Sequence, residues 1–217
     1  MGYEPFRLTL TLRTPMVEPT MFKPMDGVLS WAAVQRAQYD DLADPVGEQH
    51  NLPLERHASG DEWCFMISNI EFDWIGQLGS TCYFRRQTVR EYADAWMNGV
   101  LKKASRIDTT KGKFKAGVFV QTLRAVSEAR AWGVGNIAAL EALMPYVTHL
   151  GKLHHRDHGA VASWRVERDA SALSRWARRP LPKTSPFADA DTYAPSIGAL
   201  RAPYWLRAEH TEVMMPA

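Results

Sequence analysis

Residues 136–168 read NIAALEALMPYVTHLGKLHHRDHGAVASWRVER, and this stretch decides the fold. Apolar side chains recur at helical spacing after Asn136, which is a natural N-cap. A run of imidazoles and charges follows, and residues 160–168 then alternate as a half-buried strand does. The stretch therefore predicts a helix, a loop between Gly151 and Gly159, and a strand.

The loop has the residue types that bind phosphate. Glycine lets backbone approach a ligand closely, and Gly151 is expected to stop the helix so that Lys152 points at the ligand. Cationic and imidazole donors suit phosphate oxygens, and imidazole rings also stack on bases. A polar surface turn is the alternative. The candidate RNA-binding residues of the loop are Gly151, Lys152, His154, His155, Arg156, His158 and Gly159.

The sequence before residue 136 predicts the strands and helices that pack with this helix and strand. Residues 6–12 alternate strictly between apolar and polar side chains, which predicts a strand with one buried face. Asp26 is the expected N-cap of a helix that runs to about Tyr39. The other expected elements are a long irregular connection over 40–61, strands at 62–74, 81–86 and 117–126, a turn on Gly76 and Gly79, and a helix at 88–99.

This order of elements is typical of one α+β fold. Strand, helix, strand, insertion, strand, helix, strand is the ferredoxin-like β-α-β-β-α-β plan. We expect a core from residues 1–75 and 116–168, a basic thumb-like insertion at 76–115, and an irregular C-terminal extension at 169–217. The segment RAPYWL (201–206) is aromatic enough to pack back on the core as a short strand.

Composition places the chain among ordinary globular proteins. It has 217 residues, 46% hydrophobic and 23% charged, and no apolar run approaches the length of about 18 residues that crosses a bilayer. The segment MGYEPFRLTL lacks the pattern of a secretory signal. Two cysteines, Cys64 and Cys82, are expected to be buried thiols. We therefore expect a cytoplasmic protein without a membrane partner.

Charge is divided unevenly along the chain. The net charge is +2, but residues 1–62 hold ten acids against five bases, so the remainder carries +7. A basic half indicates a polyanion-binding face, and the acidic segment suits a protein neighbour; a solvated surface is the alternative. The candidate RNA-binding cations of the insertion are Arg85, Arg86, Arg90, Lys102, Lys103, Arg106, Lys111, Lys113 and Lys115.

Metal binding and catalysis have weaker signatures. His154 and His158 stand four apart, as zinc ligands on a helix do, but no Cys is near and no acid occupies the general-base position. None of the histidines stands in a motif with a paired partner for acid–base chemistry. We therefore expect no metal, no cofactor and no catalytic residue. Three tryptophans are most simply core or interface residues, although an exposed one can serve as a base platform. They are Trp31, Trp164 and Trp205.

Four segments carry a resemblance to a known family. They are FRLTLTLRTPMV (6–17), DGVLSWAAV (26–34), ALMPYVTHLGKLHHRDHGAVASWRVE (142–167) and RAPYWL (201–206). With them the chain resembles the RAMP superfamily of CRISPR-associated proteins. Within it, the chain is similar to the Csf-type counterpart of the fifth Cas family in type IV effector complexes. The loop differs from the family's glycine-dense form, because charges and imidazoles stand where glycines are common.

The resemblance implies a non-catalytic subunit. Such a protein holds the 5′ handle of crRNA with the loop at 151–159. Its thumb-like insertion touches the guide and the neighbouring Cas-seven-like backbone subunit. It abuts the large subunit and helps to position target DNA near the protospacer-adjacent motif. Two alternatives stay open: a guide-processing endoribonuclease of the same superfamily that uses histidine acid–base chemistry, and a protein-interaction scaffold whose basic loops are merely solvated.

Overall fold

The structure, a computed structural model, describes residues 2–17, 24–85, 97–98 and 117–216, without the side chains of 83–85. It is an α+β protein built on antiparallel sheets with few helices. The chain divides into two compact units. The larger comprises Met1–Gly76 and Arg124–Ala217, and the smaller comprises Gln77–Leu123. The expected domain boundaries at 76, 115 and 168 stay a prediction.

The main sheet is centred on strand β1 (Glu4–Leu12), which lies between β6 (Gly117–Gly135) and β7 (Val161–Arg168) and is antiparallel to both. Strands β2 (Met16–Val17) and β5 (Glu71–Arg85) also pair with β6. The strand predicted at 6–12 is confirmed.

The alternation of β1 sets the position of the main core. Phe6, Leu8 and Leu10 are completely buried, and Leu8 lies opposite Ala131 of β6 and Val166 of β7. Because side chains alternate across a strand, this register brings the apolar faces of the three strands to one side.

Helix α1 (Met25–Tyr39) covers this face. Its predicted end is confirmed, but the predicted N-cap is wrong. Pro24 is the residue before the helix, and no side chain caps its first turn. Asp26 instead lies inside that turn and is completely buried.

Helix α2 (Ile137–Leu143) has the predicted cap, because the side-chain oxygen of Asn136 accepts a 3.2 Å hydrogen bond from the Ala139 amide. The helix then tightens into a 3-10 turn at Met144–Tyr146, which contains Pro145. Proline lacks the amide hydrogen that would continue the hydrogen-bond ladder of the α-helix, so the α-helix ends here. The expectation that Gly151 stops the helix is therefore wrong.

The strands between α1 and α2 differ from prediction. The strand expected at 62–74 is two strands, β4 (Glu62–Phe65), which pairs with β3 (Arg56–Ser59), and β5. A 3-10 turn at Gly47–His50 and β3 also order the connection that we expected to be irregular. Strand β5 continues through Gly76 and Gly79 without the expected turn, because pairing with β6 outweighs local glycine preference. The helix expected at 88–99 lies outside the described residues, apart from 97–98.

The prediction that the C-terminal extension at 169–217 is irregular is wrong, because this segment forms a second sheet. After a short helix α3 (Ala172–Arg175), strands β8 (Leu181–Pro182), β10 (Thr211–Pro216) and β9 (Tyr193–Gly198) pair antiparallel in that spatial order. Their core includes Trp176 and the thiol of Cys64. The short strand expected at 201–206 is absent from this described segment, which forms turns.

A buried polar cluster connects this segment to α1 and β4. The side chain of Arg179 has no solvent exposure. It donates hydrogen bonds to the carbonyls of Phe65 (2.8 Å), Ile67 (3.2 Å) and Leu200 (2.5 Å), and to the Asp26 carboxylate at 3.2 Å. Burial lowers the pKa of Arg179, but the Asp26 carboxylate, Tyr204 and Cys64 together raise it by more, so the net pKa is raised. Arg179 therefore stays charged.

Tyr204 completes the cluster. Its hydroxyl donates to Asp26 at 2.7 Å and accepts from Arg179 at 2.9 Å. Burial raises the pKa of Tyr204 well above its ordinary value, so the phenol keeps its proton. A Cβ on Gly27 would lie only 3.2 Å from the Tyr204 ring, and a glycine there lets the ring pack against α1. The Asp26-Gly27 pair thus holds the C-terminal segment.

The structure also tests the expectations for the two cysteines and for membrane-spanning helices. Cys64 is buried, and burial raises the pKa of its thiol to about 11; Cys82, contrary to expectation, is exposed. Of the helices that the structure describes, none combines the length and the apolar character that crossing a bilayer requires.

Candidate nucleic-acid interface

The loop between α2 and β7 is closed at its base by backbone pairing. The Leu150 amide donates to the Gly159 carbonyl at 2.8 Å, and the Val161 amide donates to Thr148 at 2.9 Å. The segment after β1 holds the same base, because the Gly159 amide donates to the Pro15 carbonyl at 2.9 Å. The loop therefore projects from an antiparallel bridge between His149 and Ala160.

The tip of the loop is shaped by left-handed residues. Gly151, Leu153, Asp157 and Gly159 have φ values of +84°, +60°, +61° and +71°. Between the middle two, His154–Arg156 form one 3-10 turn. A left-handed leucine is unfavourable, and such residues persist where surrounding contacts demand them. The helical spacing that two zinc ligands need at positions 154 and 158 is not realised.

The predicted loop residues are brought together, with different exposures. Lys152, His154, His155 and Arg156 are exposed, His158 is half-buried, and Gly159 is buried. Gly159 lies against the Leu150 carbonyl, so its close backbone approach is to the loop itself.

Asp157, an acid that sequence reasoning passed over, is neutralised within the loop. Its carboxylate accepts hydrogen bonds from His149 Nε2 and Arg13 Nη2, both at 3.3 Å. These bonds, the one from His149 first, hold the pKa of Asp157 below its usual range. The ionised Asp157 is thus matched by Arg13, and by formal charge the loop at 151–159 is cationic, because Lys152 and Arg156 outnumber its one acid. Arg13 directly follows β1, at the end of the alternating run of residues. This position is the only feature of the sequence that could have pointed to a role for Arg13 in the site.

An apolar pocket of about 540 Å³ lies beside the loop in the larger unit. Its walls come from α1, from residues 147–154 and from β9 and β10. The residues that define its character are Val28, Trp31, His149, His154, Ile197 and His210. Trp31 is 57% exposed, and Trp164 and Trp205 are 37% and 80% exposed. These three tryptophans are therefore not core residues, and a role at an interface or as a base platform stays a prediction.

The cations predicted in the insertion cannot be placed. Arg85 ends β5, but its side chain is outside the described residues. Outside them entirely lie Arg86, Arg90, Lys102, Lys103, Arg106, Lys111, Lys113 and Lys115.

Several histidines lie close together in the loop, and His57 lies elsewhere. In the loop, the His149 and His154 rings are 6.3 Å apart and those of His154 and His155 are 5.9 Å apart. Away from it, His57 Nε2 lies 3.0 Å from Ser185 Oγ, and burial lowers the pKa of His57. Over the part of the chain that the structure describes, no three His, Cys, Asp or Glu side chains converge in a way that could hold a metal ion.

These features define an α+β protein of antiparallel sheets that presents a cationic, imidazole-rich loop beside an apolar pocket. A family model described as CRISPR type IV associated protein Csf3 matches residues 4–216, so the chain belongs to that family. The match confirms the resemblance to a type IV Csf-type subunit. No curated protein matches the chain.

Proposed function

We propose that the protein is a non-catalytic subunit of a type IV CRISPR ribonucleoprotein that binds the 5′ handle of crRNA. The observation that carries this proposal is the cationic loop at 151–159. Its backbone is held in shape by left-handed residues and by hydrogen bonds at its base, one of them to the segment after β1. Membership of a type IV CRISPR-associated family supports the same function.

We also propose a ferredoxin-like, RAMP-type core. Six elements in chain order, β1, α1, β5, β6, α2 and β7, follow the β-α-β-β-α-β plan, with β2, β3 and β4 as additions. The spatial order β5-β6-β1-β7 supports this proposal, because it places the first strand in the centre and the last strand at its side.

In this proposal the phosphates of the handle follow the loop and the basic insertion at 76–115. The insertion also contacts the Cas-seven-like backbone subunit. The acidic segment before residue 62 suits a protein neighbour, since it repels nucleic acid. The large subunit abuts this chain, and together they position target DNA near the protospacer-adjacent motif in the cytoplasm.

Replacing Lys152 and Arg156 together with alanine is expected to weaken binding of an RNA with the repeat-derived 5′ sequence about tenfold at physiological salt. The slope of log K against log salt should fall by about 1.4, because each phosphate contact on a single strand contributes roughly 0.7. Both side chains are exposed, so the thermal unfolding temperature should be unchanged. Filter binding between about 50 and 300 mM salt measures both quantities.

A matched double variant, Arg178→Ala with Lys183→Ala, removes the same charge elsewhere. Both of these cations are exposed and paired, with Glu71 and Glu212 respectively. Its RNA affinity should stay close to that of the unmodified protein. Equal losses in the two variants would mean that net charge, and not the loop, holds the RNA.

The endoribonuclease remains a second candidate because the His149, His154 and His155 rings lie close together. Histidine pairs can perform acid–base chemistry on RNA. Incubation of repeat RNA with the protein and a chelator separates the two functions. We expect the RNA to stay intact; cleavage that His154→Ala or His155→Ala abolishes would establish the enzyme instead.

A further inference from the structure

The apolar pocket beside the loop has no role in the function proposed above. Its volume of about 540 Å³ falls within the range of roughly 300–1,000 Å³ that small-ligand sites occupy. All of its lining residues belong to the larger unit.

One wall of the pocket is rigid. The Tyr204 ring lines it, packed against Gly27, and the Tyr204 hydroxyl is anchored to the buried Asp26 and Arg179. Trp31, one turn beyond Gly27 on α1 and more than half exposed, also lines the pocket. A planar apolar group entering the pocket would therefore meet two aromatic side chains.

The polar side chains of the lining are three imidazoles, the Thr148 hydroxyl and the Tyr204 phenol. His149, His154 and His210 are its imidazoles, and no Asp, Glu, Lys or Arg is among the described residues that line it. The charged side chains of the cationic loop lie next to the pocket, because Gly151 and His154 belong both to the pocket wall and to the loop. The ligand that fits is planar and uncharged at one end and anionic at the other.

A nucleotide has this division of character. We propose that the pocket receives one unpaired nucleobase of the bound strand, stacked on Trp31, while the adjoining phosphate lies on the loop at Lys152. This inference rests on the proposed function, because the phosphate path delivers the base. Stacking tolerates every base, since each base has a π-face. The pocket therefore selects an unstacked position in the strand and not the identity of the base.

Abasic scanning tests the proposal directly. A set of RNAs with the repeat-derived 5′ sequence carries one abasic nucleotide at each position in turn, and a single-stranded DNA set has the same sequence. For the unmodified chain we expect one position at which loss of the base weakens binding about tenfold. In Trp31→Ala the intact RNA should bind about tenfold more weakly, and the dependence on that position should disappear. Trp31→Phe should restore most of both effects.

The matched control is Tyr39→Ala, which deletes an aromatic side chain that is 81% exposed at the far end of the same helix. It should leave every affinity unchanged. Cross-linking of 5-iodouridine at the critical position to the unmodified chain gives a measurement without a substitution. The linked peptide should contain Trp31 or one of the three pocket histidines.

The remaining outcomes separate this proposal from the proposed function. RNA binding without any position dependence, with Trp31→Ala unchanged, overturns the base pocket and leaves handle binding intact. Position dependence with DNA alone supports the pocket and overturns the guide-RNA function, whereas binding of neither strand overturns both. Unchanged affinities in Trp31→Ala together with loss of a protein subunit from the assembled complex overturn the base pocket in favour of a protein occupant.

Discussion

Replacing Arg179 with alanine is expected to lower the free energy of unfolding by about 3–5 kcal/mol, the usual cost of removing one partner from a buried ion pair. A domain of this size is stable by roughly 5–15 kcal/mol, so a large part of the folded protein's stability would be lost. The midpoint of thermal unfolding should fall by about 10 °C.

The size of the effect follows from what Arg179 leaves behind. Four backbone carbonyls, those of Phe65, Ile67, Pro180 and Leu200, and the Asp26 carboxylate would lose a donor inside the protein. The carboxylate would keep the hydrogen bond from the Tyr204 hydroxyl, but its charge would have no counterpart. An unpaired buried charge costs far more than a neutral group without a hydrogen bond. Arg179→Lys should also destabilise strongly, because an ammonium group lacks the planar fork that reaches several acceptors at once.

Arg178 provides the matched control on the adjacent residue. Its side chain is 58% exposed and pairs with Glu71 at 2.8 Å. Exposed pairs contribute little, so Arg178→Ala should cost less than about 1 kcal/mol. Urea unfolding followed by tryptophan fluorescence compares the two variants. If both lose the same stability, the cluster around Arg179 does not connect the C-terminal segment to the core in the way described above.

The same cluster marks the limit of sequence reasoning for this fold. Local patterns were sufficient for β1, whose alternation is strict, and for the cap at Asn136, because each depends on near neighbours in the chain. Asp26 was misinterpreted as a cap because nothing near it in sequence indicates Arg179 or Tyr204. The glycines of β5 were misinterpreted for the same reason, since the paired strand β6 is remote.

Part of the candidate site could likewise be predicted from the sequence, and part could not. The loop was predictable, because its glycines, cations and imidazoles are consecutive in the sequence. The pairing of Asp157 was not predicted because its partner Arg13 lies 144 residues earlier in the sequence. The pocket could not be anticipated, because its walls come from α1, β9 and β10, and two of these lie in a segment of weak periodicity.

Replacing Gly159 with alanine is expected to destabilise the protein by about 3 kcal/mol and to reduce RNA affinity. The residue is buried with φ +71°, and a Cβ would run into the Leu150 carbonyl oxygen. A left-handed conformation alone costs a non-glycine residue about 1–2 kcal/mol. Relieving the clash would also strain the bonds that join Gly159 to Leu150 and Pro15, each worth about 1 kcal/mol.

The two losses should occur together, because the pairing at Gly159 holds the loop in the shape that presents Lys152 and Arg156. Urea unfolding gives the stability, and filter binding well below the unfolding transition gives the affinity of the folded fraction. Gly2→Ala is the control, because a Cβ there meets no atom within 4 Å, its φ is not left-handed, and it lies outside the loop and the insertion. A Gly159→Ala protein that is destabilised but binds RNA with full affinity would show that binding does not depend on the loop's geometry. In that case the phosphates must be held mainly by the basic insertion, and the loop would contribute only charge.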